Sequence, residues 1–191
     1  MKKIFYLLAL PAVLFLSSCG YNTMVSMDEQ VSTQWAKVQN VYQRRADLIP
    51  NLVNTVKGYA KHEEETLTKV TEARSKATSI TLKADELTPE KLQQFQAAQS
   101  QLSSALSRLL AVAEQYPDLK ANQNFLELQA QLEGTENRIA VERRNFNEAV
   151  QQYNTYIRKF PNNLMAGMFK FEKKAYFEAE AGSAKAPEVK F

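Results

Sequence analysis

The stretch Val31 to Tyr59, VSTQWAKVQNVYQRRADLIPNLVNTVKGY, carries the pattern that indicates the fold. Its apolar and aromatic residues recur at steps of three and four, which is typical of a helix that packs lengthwise on other helices. After a polar break at Glu63 the pattern resumes. We therefore predict one long first helix over Asp28 to Thr78, with a kink or a missing backbone bond at Pro50. The stripe comprises Val31, Trp35, Val38, Tyr42, Ile49, Leu52, Val56, Tyr59, Leu67 and Val70.

Two later segments repeat this period. Residues 92–113 follow Thr88–Pro89, a pair typical of a helix N-cap with proline in the first turn. Residues 125–160 carry the third stripe, which ends at the helix stop Phe160–Pro161. The polar linker 79–88 is predicted to turn the chain back between the first two helices.

These segments predict an all-α fold. The expected architecture is an elongated antiparallel up-down bundle of three long helices plus a shorter C-terminal one near 163–181. The bundle is predicted to occupy residues 28–181. A flexible tail rich in Ala, Lys and Pro is predicted at 182–191.

The composition narrows the possible chemistry. The 191 residues include 5 Gly, one Cys and one His, which excludes an internal disulfide and a Cys/His zinc cluster. The formal net charge of +3 is too small to indicate a nucleic-acid partner. We predict no cofactor.

The N-terminus has the features of a lipoprotein signal peptide. Lys2 and Lys3 precede the apolar run Ile4 to Leu16, which at 13 residues is shorter than a membrane span. The sequence Leu16-Ser17-Ser18-Cys19-Gly20 then resembles a bacterial lipobox. We predict a signal peptide at 1–18 and lipid attachment to Cys19.

Lipidation would make the membrane a partner of the mature chain, with residues 19–27 as a lipidated linker. Stable anchoring needs two or more acyl chains on Cys19. By resemblance to Gram-negative lipoproteins, Gly20 in place of Asp favours the periplasmic face of the outer membrane. In a host with a single membrane the same signal indicates its outer face.

A charged cluster interrupts the first stripe. Continuing the period from Tyr42 places Arg45 on the same helix face as the stripe, in the seam where the helices pack together. Arg44 and Asp47 lie beside it in the sequence. A buried charge is expensive unless it is paired. We therefore expect Arg45 and Arg44 to meet carboxylates of the third helix and to fix its register. The candidates are Glu133, Glu136 and Glu142.

The same cluster has a functional alternative. Arg44, Arg45 and Asp47 could form an anion-binding or catalytic cleft together with His62 or the glutamates. No nucleophile–base pair stands at helical spacing nearby, so we predict no catalytic residue and no enzyme activity. His62-Glu63 lacks the second histidine of a zinc-protease helix, so we predict no metal site.

Several long motifs resemble the LemA family of bacterial envelope proteins. They include RRADLIPNLVNTVKGYAKHE at residues 44–63, FLELQAQLEGTENRIA at 125–140 and NFNEAVQQYN at 145–154. The resemblance covers Tyr21 to Phe191. It implies an antiparallel helical bundle on the extracytoplasmic side of a membrane, with no established enzymatic activity and no agreed ligand. Many relatives resemble proteins with an N-terminal transmembrane helix, whereas this chain is predicted to use lipid.

The function expected from these features is that of a non-enzymatic helical scaffold or adaptor. Its partner would be another protein or a further copy of the same chain, with helical seams continued between copies. A small-ligand binder or enzyme built on the arginine cluster is the alternative.

Overall fold

A computed structural model describes the backbone of residues 2–60 and 62–178, and the side chains from Gly20 onward within those ranges. It confirms the predicted all-α class, because every regular element in the described residues is helical. A short 3₁₀ turn at Ala84–Glu86 precedes the third helix. The α-helices are α1 (Lys2–Tyr59), α2 (Glu64–Ser79), α3 (Pro89–Ala113), α4 (Pro117–Lys120), α5 (Gln123–Arg158) and α6 (Asn162–Phe169).

The predicted single helix over 28–78 is wrong, because the chain breaks between α1 and α2. α1 continues through Pro50 but ends at Tyr59. The polar residue Glu63 lies at the N-terminal cap of α2, and its carboxylate accepts a hydrogen bond from the Tyr116 hydroxyl at 3.0 Å. The contact with the segment before α4 holds this break in place. α2 then returns along α1, where Arg74 Nε donates to the Ala46 carbonyl at 2.7 Å.

The helices form an antiparallel bundle in which α1 packs most extensively on α5, and α2 packs between α1 and α3. The start of α3 follows the predicted cap, since the Thr88 hydroxyl accepts from the Lys91 amide at 3.3 Å. α5 has 36 residues and is about 54 Å long at 1.5 Å per residue. The bundle is therefore a rod rather than a sphere.

The core consists of two clusters along this rod, and the first predicted stripe supplies both. Trp35 lies in one cluster with Phe95, Phe146 and Phe177, and its Nε1 donates to the Leu82 carbonyl at 2.8 Å. The second cluster is mainly aliphatic, with Phe125 as its buried aromatic residue. It contains Ile49, Leu52, Val56, Leu102, Leu109 and Leu132. Tyr59, the last stripe position of α1, is exposed.

The predicted C-terminal helix to Ala181 is also wrong. α6 ends at Phe169, and Lys170 adopts a left-handed conformation with φ of 59°. Residues 171–178, here called the strap, then run along α5 without forming a helix, and the Phe171 amide closes the end of α6 by donating to the Ala166 carbonyl at 2.9 Å. Two asparagines of α5 hold the strap through its backbone.

Asn154 and Asn147 each bind the amide and the carbonyl of one strap residue. Asn154 Oδ1 accepts from the Lys174 amide at 2.9 Å, and its Nδ2 donates to the Lys174 carbonyl at 2.9 Å. Asn147 does the same with Phe177, at 2.9 and 3.0 Å. Seven helical residues rise about 10.5 Å, which matches three extended residues. These bonds replace the helical bonds that the strap residues lack.

Some predictions fall outside the described residues. They are the side-chain features of the signal peptide, the lipid on Cys19 and the tail at 182–191. Within residues 20–60 and 62–178, none of the helices combines the length and apolarity needed to cross a membrane.

Candidate functional site

Arg45 is the most deeply buried charge in the described chain. The seam of α1 carries its side chain into the junction of α1, α3 and α5, where only 1% of the residue is exposed. Its Nη1 lies 2.7 Å from Glu136 Oε1 on α5 and 2.7 Å from Ser103 Oγ on α3. A guanidinium at this depth needs partners for its donors. Both terminal nitrogens have them, whereas the buried Nε of Arg45 has no hydrogen-bond partner among the described residues.

The second terminal nitrogen of Arg45 is satisfied by α3. Nη2 donates to Gln99 Oε1 at 2.6 Å and to the Gln99 carbonyl at 3.3 Å. The Tyr42 ring lies 5.2 Å from the guanidinium carbon, within cation–π range. Both terminal nitrogens thus bind groups of the chain itself, and the guanidinium links three helices.

The structure does not bring the other predicted members of the network to Arg45. Arg44 and Asp47 are exposed, and Asp47 Oδ1 accepts from Gln43 Nε2 at 2.7 Å within α1. On α5, Glu133 Oε1 accepts from Gln129 at 3.2 Å and Glu142 Oε2 accepts from Asn145 at 3.2 Å. These bonds are local to one helix. His62 is exposed at the break between α1 and α2.

Two residues of α3 complete the site and were not predicted. Ser103 and Gln99 bind the guanidinium, and Gln99 Nε2 also donates to the Ala77 carbonyl at the end of α2, at 3.2 Å. The signal was present in the second stripe, where Gln99 interrupts the period between Phe95 and Leu102. A polar residue in a seam next to a seam arginine is a candidate partner.

The space around this site is small. A cavity of about 100 Å³ borders Arg45, Gln96, Ser103, Glu136 and Arg143. Ligand sites for drug-sized molecules are usually about 300–1,000 Å³. Glu136 is 43% exposed, so its carboxylate is the part of the site that water reaches. The arrangement can hold a helix junction, and its free volume suits water molecules.

The described residues lack a metal-binding cluster: none of them form a group of three or more His, Cys, Asp or Glu placed to hold an ion. The site is thus an ionic junction between helices. Its chemistry is that of a buried pair whose positive partner is enclosed and whose negative partner is partly hydrated.

Comparison with known proteins places this bundle in a family. The model described as the LemA family matches residues 34–191, which includes α1 beyond Gln34, the Arg45 junction and the strap. The chain belongs to the LemA family. The resemblance to this family in the sequence motifs is thereby confirmed.

Three curated relatives show the range of LemA-like proteins. Protein LemA of Metamycoplasma hominis is 27% identical over 176 residues, covering 92% of this chain and 77% of the relative. Magnetosome protein MamQ 2 of Paramagnetospirillum magneticum is 29% identical over 175 residues, covering 83% of this chain and 64% of the relative. Magnetosome protein MamQ of Magnetospirillum gryphiswaldense is 27% identical over 180 residues, covering 85% of this chain and 66% of the relative. This chain therefore spans about two thirds of the magnetosome relatives.

Proposed function

We propose that this LemA-family protein is a lipid-anchored helical scaffold or adaptor at the bacterial envelope, without enzymatic activity. The lipobox ending at Cys19 supports the anchor. The rod built on α5, about 54 Å long, supports a role in holding a partner away from the membrane surface. The expected partner is another protein or a second copy of the chain.

The observation that carries the non-enzymatic part of the proposal is the internal use of Arg45. Both terminal nitrogens of this residue bind Glu136, Ser103 and Gln99, and the guanidinium is enclosed by three helices. A substrate would have to displace these bonds to reach the charge. The arginine therefore serves the bundle, and the alternative of a small-ligand binder or enzyme using Arg44, Arg45 and Asp47 loses its central group.

The anchor is tested by metabolic labelling with an alkyne analogue of palmitate. The full chain is expected to take the label, and Cys19→Ser, which changes one atom of the only thiol, is expected to lose it. Membranes separated on a sucrose gradient then report the location, with the outer membrane expected in a Gram-negative host. A native chain without label, or label retained by Cys19→Ser, contradicts the lipoprotein proposal.

The scaffold role is tested by photo-crosslinking in living cells. Leu126 and Val141 are exposed apolar residues of α5, and their spacing of fifteen residues places them about 60° apart around the helix. A benzoylphenylalanine at either site is expected to give a discrete adduct under light. An adduct of twice the chain mass indicates self-association, and other masses indicate a second protein. Only the monomer band at both sites contradicts the scaffold role on this face, with unirradiated cells as the control.

A further inference from the structure

Large apolar side chains lie exposed at one end of the rod. Phe160 is 81% exposed, Met168 is 71% exposed and Leu164 is 62% exposed, and Phe169 lies beside them. We call these four residues the α6 face. Single exposed apolar residues are ordinary on protein surfaces, whereas several gathered on one short segment mark an interaction surface.

Most of the α6 face is separate from the core contact of α6; the exception is Phe169, which follows Met165 and Ala166 on the core side and packs on Tyr21. Met165 and Ala166 point inward and pack on the cluster around Trp35. Leu164 and Met168 are one helical turn apart and therefore share the opposite, outward side. Packing of the bundle thus accounts for one side of α6 and leaves the other unexplained.

The α6 face lies beside the point where the mature chain is predicted to begin. The ring of Tyr21 contacts the rings of Phe169 and Phe171, with centroids 4.8 and 5.8 Å apart. A Cβ on Gly20 would lie 3.4 Å from Asn162 Oδ1 at the start of α6. Cys19 is the residue directly before Gly20. A lipid on Cys19 would therefore hold α6 within about one helix diameter, roughly 10 Å, of the bilayer.

The surroundings of the α6 face are basic. Residues 158–174 contain five basic residues and one acidic residue, and Lys174 among them pairs with Asp28 of α1 at 2.9 Å. Arg158, Lys159, Lys170 and Lys173 are exposed. Apolar and aromatic side chains flanked by lysine and arginine are the composition of elements that lie in a membrane interface with anionic headgroups.

We infer that the α6 face is a second membrane contact, which enters the headgroup–acyl boundary of an anionic bilayer beside the lipid anchor. This inference rests on the anchoring in the proposed function. The anchor holds the α6 face at a high effective concentration at the surface, so a contact that is weak alone becomes occupied. Two contacts at one end of the rod set its direction, and the opposite end, near Leu126, is held away from the membrane.

The test places a fluorescent reporter in the α6 face of the full lipidated chain. Phe160→Trp is reconstituted in vesicles of phosphatidylcholine and phosphatidylglycerol, with and without bromine on the acyl chains, which quenches nearby indole. The matched control is Leu126→Trp, an exposed apolar site at the other end of α5. Native Trp35 is buried, and the unmodified chain supplies its constant signal. Flotation of the vesicles and circular dichroism confirm binding and folding.

After subtraction of the Trp35 signal, we expect brominated vesicles to reduce the emission of the Phe160→Trp chain about twofold, because interfacial side chains reach roughly 5–10 Å into the boundary. Emission from the Leu126→Trp chain should be unchanged. Adding Leu164→Glu and Met168→Glu to the Phe160→Trp chain should restore the emission while flotation persists.

Other outcomes overturn the inference. A Phe160→Trp chain that floats with the vesicles and is not quenched leaves the anchor standing and removes the second contact, as does equal quenching of the two reporter variants. A chain that does not float overturns both the anchor and the α6 contact.

Discussion

We predict that removing Glu136 lowers the unfolding free energy more than removing Arg45 does, because Arg45 is the more deeply buried of the two partners. Glu136→Ala removes the carboxylate and leaves the guanidinium, 1% exposed, with only the neutral acceptors on Gln99 and Ser103. Removing one partner of a buried pair costs about 3–5 kcal/mol when the remaining charge stays enclosed. We expect about 4 kcal/mol of lost unfolding free energy within that range.

The reverse substitution is predicted to cost less. Arg45→Met keeps an unbranched side chain in the junction and leaves Glu136, whose side chain is 43% exposed. Water can hydrate that carboxylate. The remaining cost is the loss of partners for Gln99 and Ser103, about 1–3 kcal/mol. The loss of unfolding free energy is therefore larger when the charge that remains is the buried one.

Urea unfolding followed by far-ultraviolet circular dichroism measures both variants, with the full chain in non-ionic detergent. With a slope near 2 kcal/mol per molar urea, Glu136→Ala should lower the midpoint by about 2 M. The control is Glu65→Ala, which breaks an exposed pair with Lys69 on α2. Its midpoint should match that of the native chain, because exposed pairs contribute little.

The double variant tests whether a stranded charge causes the loss. Arg45→Met with Glu136→Ala removes both charges, so its loss should be no greater than that of Glu136→Ala alone. If the two single losses simply add, or if Arg45→Met is the more damaging substitution, then the stranded-charge argument is wrong.

Three further predictions concern the core and the strap. Asn154→Ala removes the side-chain amide that binds the backbone N–H and carbonyl of Lys174, so limited trypsin digestion should cleave after Lys174 several-fold faster than in the native chain. Burial raises the pKa of Tyr153 to about 12. Since an unfolded tyrosine ionises near pH 10, the native chain alone holds this proton between about pH 10 and 12, and stability should fall by roughly 2–3 kcal/mol as pH rises through that window. Comparing urea midpoints across the window, Tyr153→Phe should lack that fall. Trp35→Phe removes one of two donors to the Leu82 carbonyl, which still accepts from Gln39 Nε2 at 2.9 Å, and should lower the unfolding free energy by roughly 0.5–1.5 kcal/mol in the same urea assay.

The sequence pattern predicts which segments are helical, but it does not predict where two of the helices end. The stripe through Trp35 and Leu52 predicts burial directly, because the period of the pattern is the period of the helix. The break at Glu63 depends on a contact with Tyr116, more than fifty residues away. The strap depends on Asn147 and Asn154, whose amides outweigh the helical tendency of the strap residues. The sequence does show the stripe interrupted at Glu63, but the end of α1 there and the course of the strap both depend on tertiary contacts.

The Arg45 junction, too, could be predicted from the sequence only in part. A cation at a seam step predicts an internal partner on α5, but the choice among three glutamates needs the register of the two helices. The contact between Trp35 and Phe146 supplies it. Ten residues further along α1 is Arg45, and ten residues back along the antiparallel α5 is Glu136. One anchored aromatic pair would have been enough to select the correct carboxylate.

This register explains what a buried pair contributes that an apolar pair does not. Apolar stripes repeat about every seven residues, so two stripes can slide by one repeat and still bury most of their surface. A slide of α5 by seven residues would place Gln129 or Arg143 opposite Arg45, in place of Glu136. The first leaves the buried cation without a counterion, and the second sets two cations together, so either slide is penalised by several kcal/mol. The pair thus adds little to the depth of the native minimum and much to its uniqueness, which is the property that the proposed scaffold role would require.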